Sequence, residues 1–141
     1  MTEAEARAWI ERRFGPDATT RVARFADQVG RESEHQNLVA RSTLDSIWSR
    51  HILDSAQLIP LAGTVDAATR WLDIGSGAGV PGVVGALLTT AQVTLVEPRR
   101  RRVAFLREAL ADSPKATVLP AKVETISIEP PGILSARAVA R

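Results

Sequence analysis

The sequence has 141 residues, 18 Lys+Arg against 16 Asp+Glu, 24% charged residues and no cysteine, which excludes disordered and fibrous classes, a disulfide framework and a thiolate metal site. The pI near 9.9 overstates its basicity: the net charge is only +2, and every cation except Lys115 and Lys122 is an arginine, which does not titrate in any ordinary range. No run of about eighteen apolar residues exists to span a bilayer, and the acidic, then amphipathic amino terminus is unlike a secretory signal, so a cytoplasmic protein without membrane contact is expected.

From Thr2 to Phe14 the apolar residues Ala6, Trp9, Ile10 and Phe14 fall at helical spacing, and Thr2 with Glu5 forms a capping-box pattern. Gly15 and Pro16 stop this helix. The spacing predicts a second helix over 20–34, with Val22, Phe25, Ala26 and Val29 on one stripe and an Asp27–Arg31 pair on the surface. After the loop His35-Gln36-Asn37, Ser42 and Asp45 offer another capping signal, and Leu44, Ile47, Trp48, His51, Ile52 and Leu58 continue at helical period until Pro60 and Gly63. Residues 1–63 thus read as a helical segment. Trp9, Trp48 and Trp71 read as core residues rather than platforms for bases.

Beyond residue 63 the pattern changes. Trp71-Leu72-Asp73-Ile74 is a short apolar run ending in glycines, 80–88 is helical, and 92–97 is a second buried-looking strand. Strand, glycine turn, helix and strand make a βαβ unit, hence an α/β fold. A helix over 98–112 comes next, with Val103, Leu106, Ala109 and Leu110 inside, then strands at 117–119 and 132–136. There are no internal repeats.

The segment Asp73-Ile74-Gly75-Ser76-Gly77-Ala78-Gly79-Val80-Pro81-Gly82 sits between strand and helix, where residues without side chains let the backbone bend and let a ligand touch it. Pro81 suits a first helical position. Glu97, at the end of the next strand, stands where a carboxylate accepts hydrogen bonds from both hydroxyls of a ribose. The spacing is Gly-x-Gly-x-Gly rather than the Gly-x-Gly-x-x-Gly of dinucleotide sites. Phosphate is met by free amides at a helix start; S-adenosylmethionine carries no phosphate but a sulfonium and an amino-acid tail, whose ammonium an Asp in the turn suits. A nicotinamide or flavin nucleotide and a purely structural turn remain the other readings of this motif.

Five ordered blocks then resemble one family. Asn37-Leu38-Val39, Arg50-His51-Ile52-Leu53-Asp54-Ser55, Trp71 to Gly82, Val103-Ala104-Phe105-Leu106-Arg107 and Ser135-Ala136-Arg137-Ala138-Val139-Ala140 resemble, in order and spacing, the RsmG (GidB) ribosomal RNA methyltransferases. The resemblance implies a class I methyltransferase fold with a Rossmann-like sheet, and methylation of N7 of one guanine (nucleotide 527) of 16S rRNA with S-adenosylmethionine as cofactor. By position it puts Gly75 and Val80 against the cofactor in the turn, where the motif itself adds Asp73, Gly77 and Gly79 as cofactor-binding candidates; it puts Glu97 at the ribose, Val123 and Glu124 beside the adenine, and Arg137 at the edge where cofactor and substrate meet. Lys122 stands where Arg is common and Val139 where Phe is usual. The family's sheet has seven strands, whereas about four are read here, in the order 3-2-1-4. That implies a C-terminally incomplete sheet over 64–141 and an open edge on strand 4. The chain is expected to be a monomer unless another chain covers this edge.

Guanine N7 already offers a lone pair, so methyl transfer to it removes no proton and no catalytic base is expected; orientation and electrostatics carry the reaction. No metal is expected. The partner implied is 16S rRNA or the small ribosomal subunit. Its candidate contacts are Asn37, Arg50, His51, Arg99, Arg100 and Arg101. The run Arg99 to Arg102 opens a helix, where the macrodipole disfavours cations; phosphate contact explains it, and so does a solvated helix start near Glu97. His51 and Asp54 share a helix face and either line the site or belong to an ordinary surface, with Arg50 and Asp54 paired. Asn37 binds or makes a turn. The alternative to an enzyme is a truncated module that binds cofactor without catalysis.

Overall fold

In the computed structural model, which describes residues 1–136, the two apolar runs that bracket the glycine turn become neighbouring strands. β1 (Arg70–Ile74) pairs in parallel with β2 (Gln92–Val96), β2 with β3 (Ala116–Leu119), and β1 on its other side with β4 (Ile133–Ala136). The order is β3-β2-β1-β4, as expected. Arg137 and Val139 lie outside the described residues. Parallel strands need crossovers that cover their faces, and the strands run apolar accordingly: Trp71, Leu72, Val93, Leu95 and Val96 are all buried.

The helices between the strands are shorter than the sequence pattern suggests. α5 (Gly82–Leu88) begins two residues later than expected, because Pro81, after a cis Val80–Pro81 bond, serves as its N-cap rather than its first residue. α6 (Arg100–Ala109) begins after Pro98, with Arg99 still extended as N-cap. Gly85 gives Trp71 its room: a Cβ at Gly85 would fall 2.5 Å from the indole ring.

In the N-terminal segment, α1 (Glu3–Phe14) opens with the expected Thr2–Glu5 capping box. Gly15, at φ 90°, ends α1 and immediately starts α2 (Pro16–Glu32), four residues earlier than the stripe alone suggests, since the fixed φ of Pro16 suits a helix start. The expected continuous helix over 42–60 is broken into α3 (Arg41–Leu44), a π-helical turn at Trp48–Ile52 and α4 (Leu53–Leu61). Ser42 makes no cap; Ala40 holds that place. A long-range contact accounts for the break, because the Glu3 carboxylate accepts from the Trp48 amide (2.9 Å) and the Ser49 amide (2.7 Å) and so takes over donors of that turn. Neither Asp27–Arg31 nor Arg50–Asp54 forms an ion pair; exposed charges at this spacing gain too little to fix two long side chains.

α2 packs on α5 and α6, and α4 packs on α5. One hydrophobic cluster runs through both parts of the chain, from Ile10, Val22 and Phe25 to Trp71, Val83 and Phe105. The Phe25 and Phe105 rings stand 6.2 Å apart, and the Arg21 guanidinium donates through Nε and Nη2 to the Leu87 carbonyl at the end of α5. Trp71 is buried, while Trp9 and Trp48 are partly buried against the cluster, so all three indoles are packing residues.

Both the indole packing and the Glu3 contact set stability. Replacing Gly85 with Ala should cost about 1–3 kcal/mol by overpacking against the indole, read as a lower urea midpoint with an unchanged slope. Burial would raise the Glu3 carboxyl, but the hydrogen bonds from the Ser49 side chain and from the Trp48 and Ser49 amides outweigh it and hold the group below its ordinary value. Its stabilisation is therefore full above the unfolded-state pKa and is lost as pH falls through the lower folded one. The stability gap between the native chain and Glu3→Gln, measured by urea titration, should shrink across that acidic window.

Candidate functional site

Parallel α/β sheets bind ligands beyond the carboxyl ends of their strands, and here that end of β1 is the glycine turn. Gly75, Gly77 and Gly79 have φ of 65°, 52° and 91°, a left-handed region that residues with a Cβ rarely enter. Gly79 also approaches neighbours closely: a Cβ there would meet Val83 at 2.7 Å and the Phe25 ring at 3.0 Å. The N-terminal segment, through Phe25, is thus part of the turn's support.

The turn's own hydrogen bonds decide what it can bind. The Gly75 and Ser76 amides both donate to the Val96 carbonyl, at 2.9 and 3.2 Å, and the Gly79 amide donates to the Ser76 carbonyl at 2.7 Å. The Gly77 amide donates to Glu97 Oε1 at 2.9 Å. Four of the turn's amides are thus already committed, which leaves fewer for a phosphate than an open helix start or nest provides.

Glu97 is 1% exposed and joins two segments: Oε1 takes Gly77, and Oε2 takes the Arg99 amide at 2.8 Å. The Arg99 side chain approaches the same oxygen at 3.8 Å. An ionised carboxylate has about four acceptor positions, so two amides leave capacity for further donors. The sequence alone suggests a ribose partner for Glu97; the structure adds that this carboxylate also holds the turn itself.

Asp73 is placed differently from expectation. It is 1% exposed, its Oδ1 accepts from Ser135 Oγ at 2.7 Å, and a Cβ on Gly82 would fall 2.4 Å from its Oδ2. Ser135 in turn accepts from the Trp71 indole at 2.8 Å. The Asp73 carboxylate therefore lies between sheet and α5 start, where it ties β1 to β4, rather than on the open side of the turn facing an ammonium. Pleat parity explains this: Trp71 and Asp73 share the face that α5 covers. Val80 is buried behind the turn. Val123 and Glu124 lie in a 3₁₀ turn, Val123–Thr125, just after β3, Val123 half-buried and Glu124 exposed.

Of the remaining candidates, Arg99, Arg100 and Arg101 are exposed at the start of α6. Arg101 Nη2 donates to the His35 carbonyl (2.6 Å) and Gln36 Nε2 to the Arg101 carbonyl (3.1 Å). Asn37 is exposed, and its carbonyl accepts from Arg102 Nη2 at 2.7 Å. Arg102, outside the candidate set read from sequence, is the member of the run that reaches the turn: its Nη1 stands 3.2 Å from where a Gly77 Cβ would be. Position along α6 is the signal that could have found it. His51 Nε2 lies 3.0 Å from Thr43 Oγ1, and Arg50 is exposed. Exposed Asp54 borders a cleft of about 350 Å³ with Ser55, Pro81 and Ser135, which places it on the β4 side of the sheet rather than beside Glu97.

Because Glu97 serves two part-buried amides, Glu97→Ala should destabilise the ligand-free chain by about 2–4 kcal/mol, the cost of leaving two such donors without an acceptor, seen as a lower thermal midpoint.

Comparison with known proteins agrees with this architecture. Residues 19–141 match the GidB family model, described as rRNA small subunit methyltransferase G. The chain is 46% identical to the Ribosomal RNA small subunit methyltransferase G of Rhizorhabdus wittichii over 99% of its own length and 66% of that protein. For the proteins of the same name from Zymomonas mobilis and Sphingopyxis alaskensis the identities are 44% and 41%, over 99% and 98% of this chain and 67% and 60% of theirs. The chain thus spans about two thirds or less of the length of these relatives. With the family model covering all but the first eighteen residues and a sheet ordered as in class I methyltransferases, the chain belongs to the GidB (RsmG) family.

Proposed function

We propose that the chain binds S-adenosylmethionine at the Gly75–Gly79 turn and takes part in methylation of N7 of a guanine, nucleotide 527, in 16S rRNA. The observation that carries this reading is the pairing of a glycine turn in which the Gly75, Ser76, Gly77 and Gly79 amides are internally committed with a buried carboxylate at the next strand end. Such a site offers a pyrophosphate fewer free amides than an open helix start does and retains acceptors for sugar hydroxyls, which suits a nucleoside without phosphate. Membership of a family named for small-subunit rRNA methylation supports the substrate class.

In this reading the residues divide their tasks by chemistry. Gly75, Gly77 and Gly79 leave room for a ligand against bare backbone, Glu97 takes the ribose, and Val123 and Glu124 flank the base. S-adenosylmethionine supplies an electrophilic methyl group on a sulfonium. The chain's contribution is orientation and a fixed electrostatic environment, since a purine N7 attacks through a lone pair with no proton to remove. The exposed side chains of Arg50, Arg99 and Arg100 offer charge to the RNA backbone.

Isothermal titration of the chain with S-adenosylmethionine should show saturable binding, and Glu97→Ala should weaken it by about 1–3 kcal/mol; absence of heat from a folded sample would reject the cofactor. Incubation of unmethylated small subunits with labelled S-adenosylmethionine should put the label on N7 of one guanine. Binding without product would instead identify a cofactor-binding module.

A further inference from the structure

Arg102, the last member of the four-arginine run, sends its side chain from the helix start to the glycine turn, where Nη1 stands 3.2 Å from where a Gly77 Cβ would be. It is half-buried. Its Nη2 is held by the Asn37 carbonyl at 2.7 Å, and its Nη1 lies over Gly77. Burial first, then the neighbouring charge of Arg99, make its cationic form costly, with only Glu97 opposing them. It forms no ion pair among the described residues. A guanidinium has five donors, and the one bond to Asn37 fixes the fork while leaving the others available beside the turn.

The charge pattern of the ligand then limits what this cation can do. A methyl-donating sulfonium nucleoside carries two positive centres, the sulfonium and the α-ammonium, and a single negative one, the α-carboxylate. A desolvated guanidinium beside the turn repels the first two and attracts only the third, and its planar fork matches a carboxylate. Resting on the reading of the turn as a donor-nucleoside site, we infer that Arg102, positioned by the Asn37 carbonyl, recognises the α-carboxylate of the methyl donor. The residue is thereby a specificity determinant for an intact amino-acid tail.

The test compares S-adenosylmethionine with its decarboxylated form, which keeps both the sulfonium and the amine, by titration calorimetry on the 141-residue chain. The native chain should prefer the intact molecule by about ten- to a hundredfold, the value of a charge-assisted pair. Arg102→Met should abolish that preference by weakening the intact molecule alone, and Arg102→Lys, which keeps the charge without the fork, should restore part of it. Arg101→Met removes the parallel bond to the His35 carbonyl and should leave the preference intact, which separates carboxylate recognition from anchoring of the 35–37 loop. No preference in the native chain, or a preference that survives Arg102→Met, overturns the inference while the donor site stands; a loss confined to RNA affinity overturns it in favour of phosphate contact. A native chain that binds neither nucleoside overturns the donor site itself and this inference with it.

Discussion

The Glu97 carboxylate is the constraint around which the rest of the site is arranged. It is fully buried, and a buried carboxylate is costly unless donors meet it; the donors it has are the Gly77 and Arg99 amides. These belong to two different crossovers, one leaving β1 and one leaving β2. A single side chain therefore sets the distance between the glycine turn and the start of α6. The Val96 carbonyl, one residue earlier, receives two further amides of the turn, so the end of β2 shapes the exit from β1.

From this joint the N-terminal helices gain their place. Phe25 packs under Gly79, and the loop after α2 is tied to α6 by three hydrogen bonds, from Arg101 to His35, from Gln36 to Arg101 and from Arg102 to Asn37. The helical segment is thereby a wall of the same site rather than a separate cap. It shares a hydrophobic cluster with the sheet, which is why its amphipathic stripes are apolar enough to be read without knowledge of the partner surface.

The strands, their order and the position of the glycine turn were legible because each rests on local pattern: apolar runs, turn glycines and an acidic strand end. What escaped was decided by contacts distant in sequence. Glu3 breaks the helix predicted through residue 48 by taking its amides, and nothing local to that segment signals it. Asp73 reads as a ligand-facing acid from its motif position, but pleat parity and the Ser135 hydroxyl, sixty-two residues away, turn it inward. Arg102 was obscured by its neighbours: in a run of four identical residues, only helix phase distinguishes the one that reaches Gly77.

The Trp71–Ser135–Asp73 chain of hydrogen bonds has a consequence for how the molecule can be watched. Trp71 is sealed between β1 and α5, whereas Trp48 and Trp9 lie near the Arg7 and Arg13 guanidinium groups at the protein's margin. Its indole emission is an intrinsic optical reporter on the β1–β4 seam, separable by quencher access from the two peripheral fluorophores.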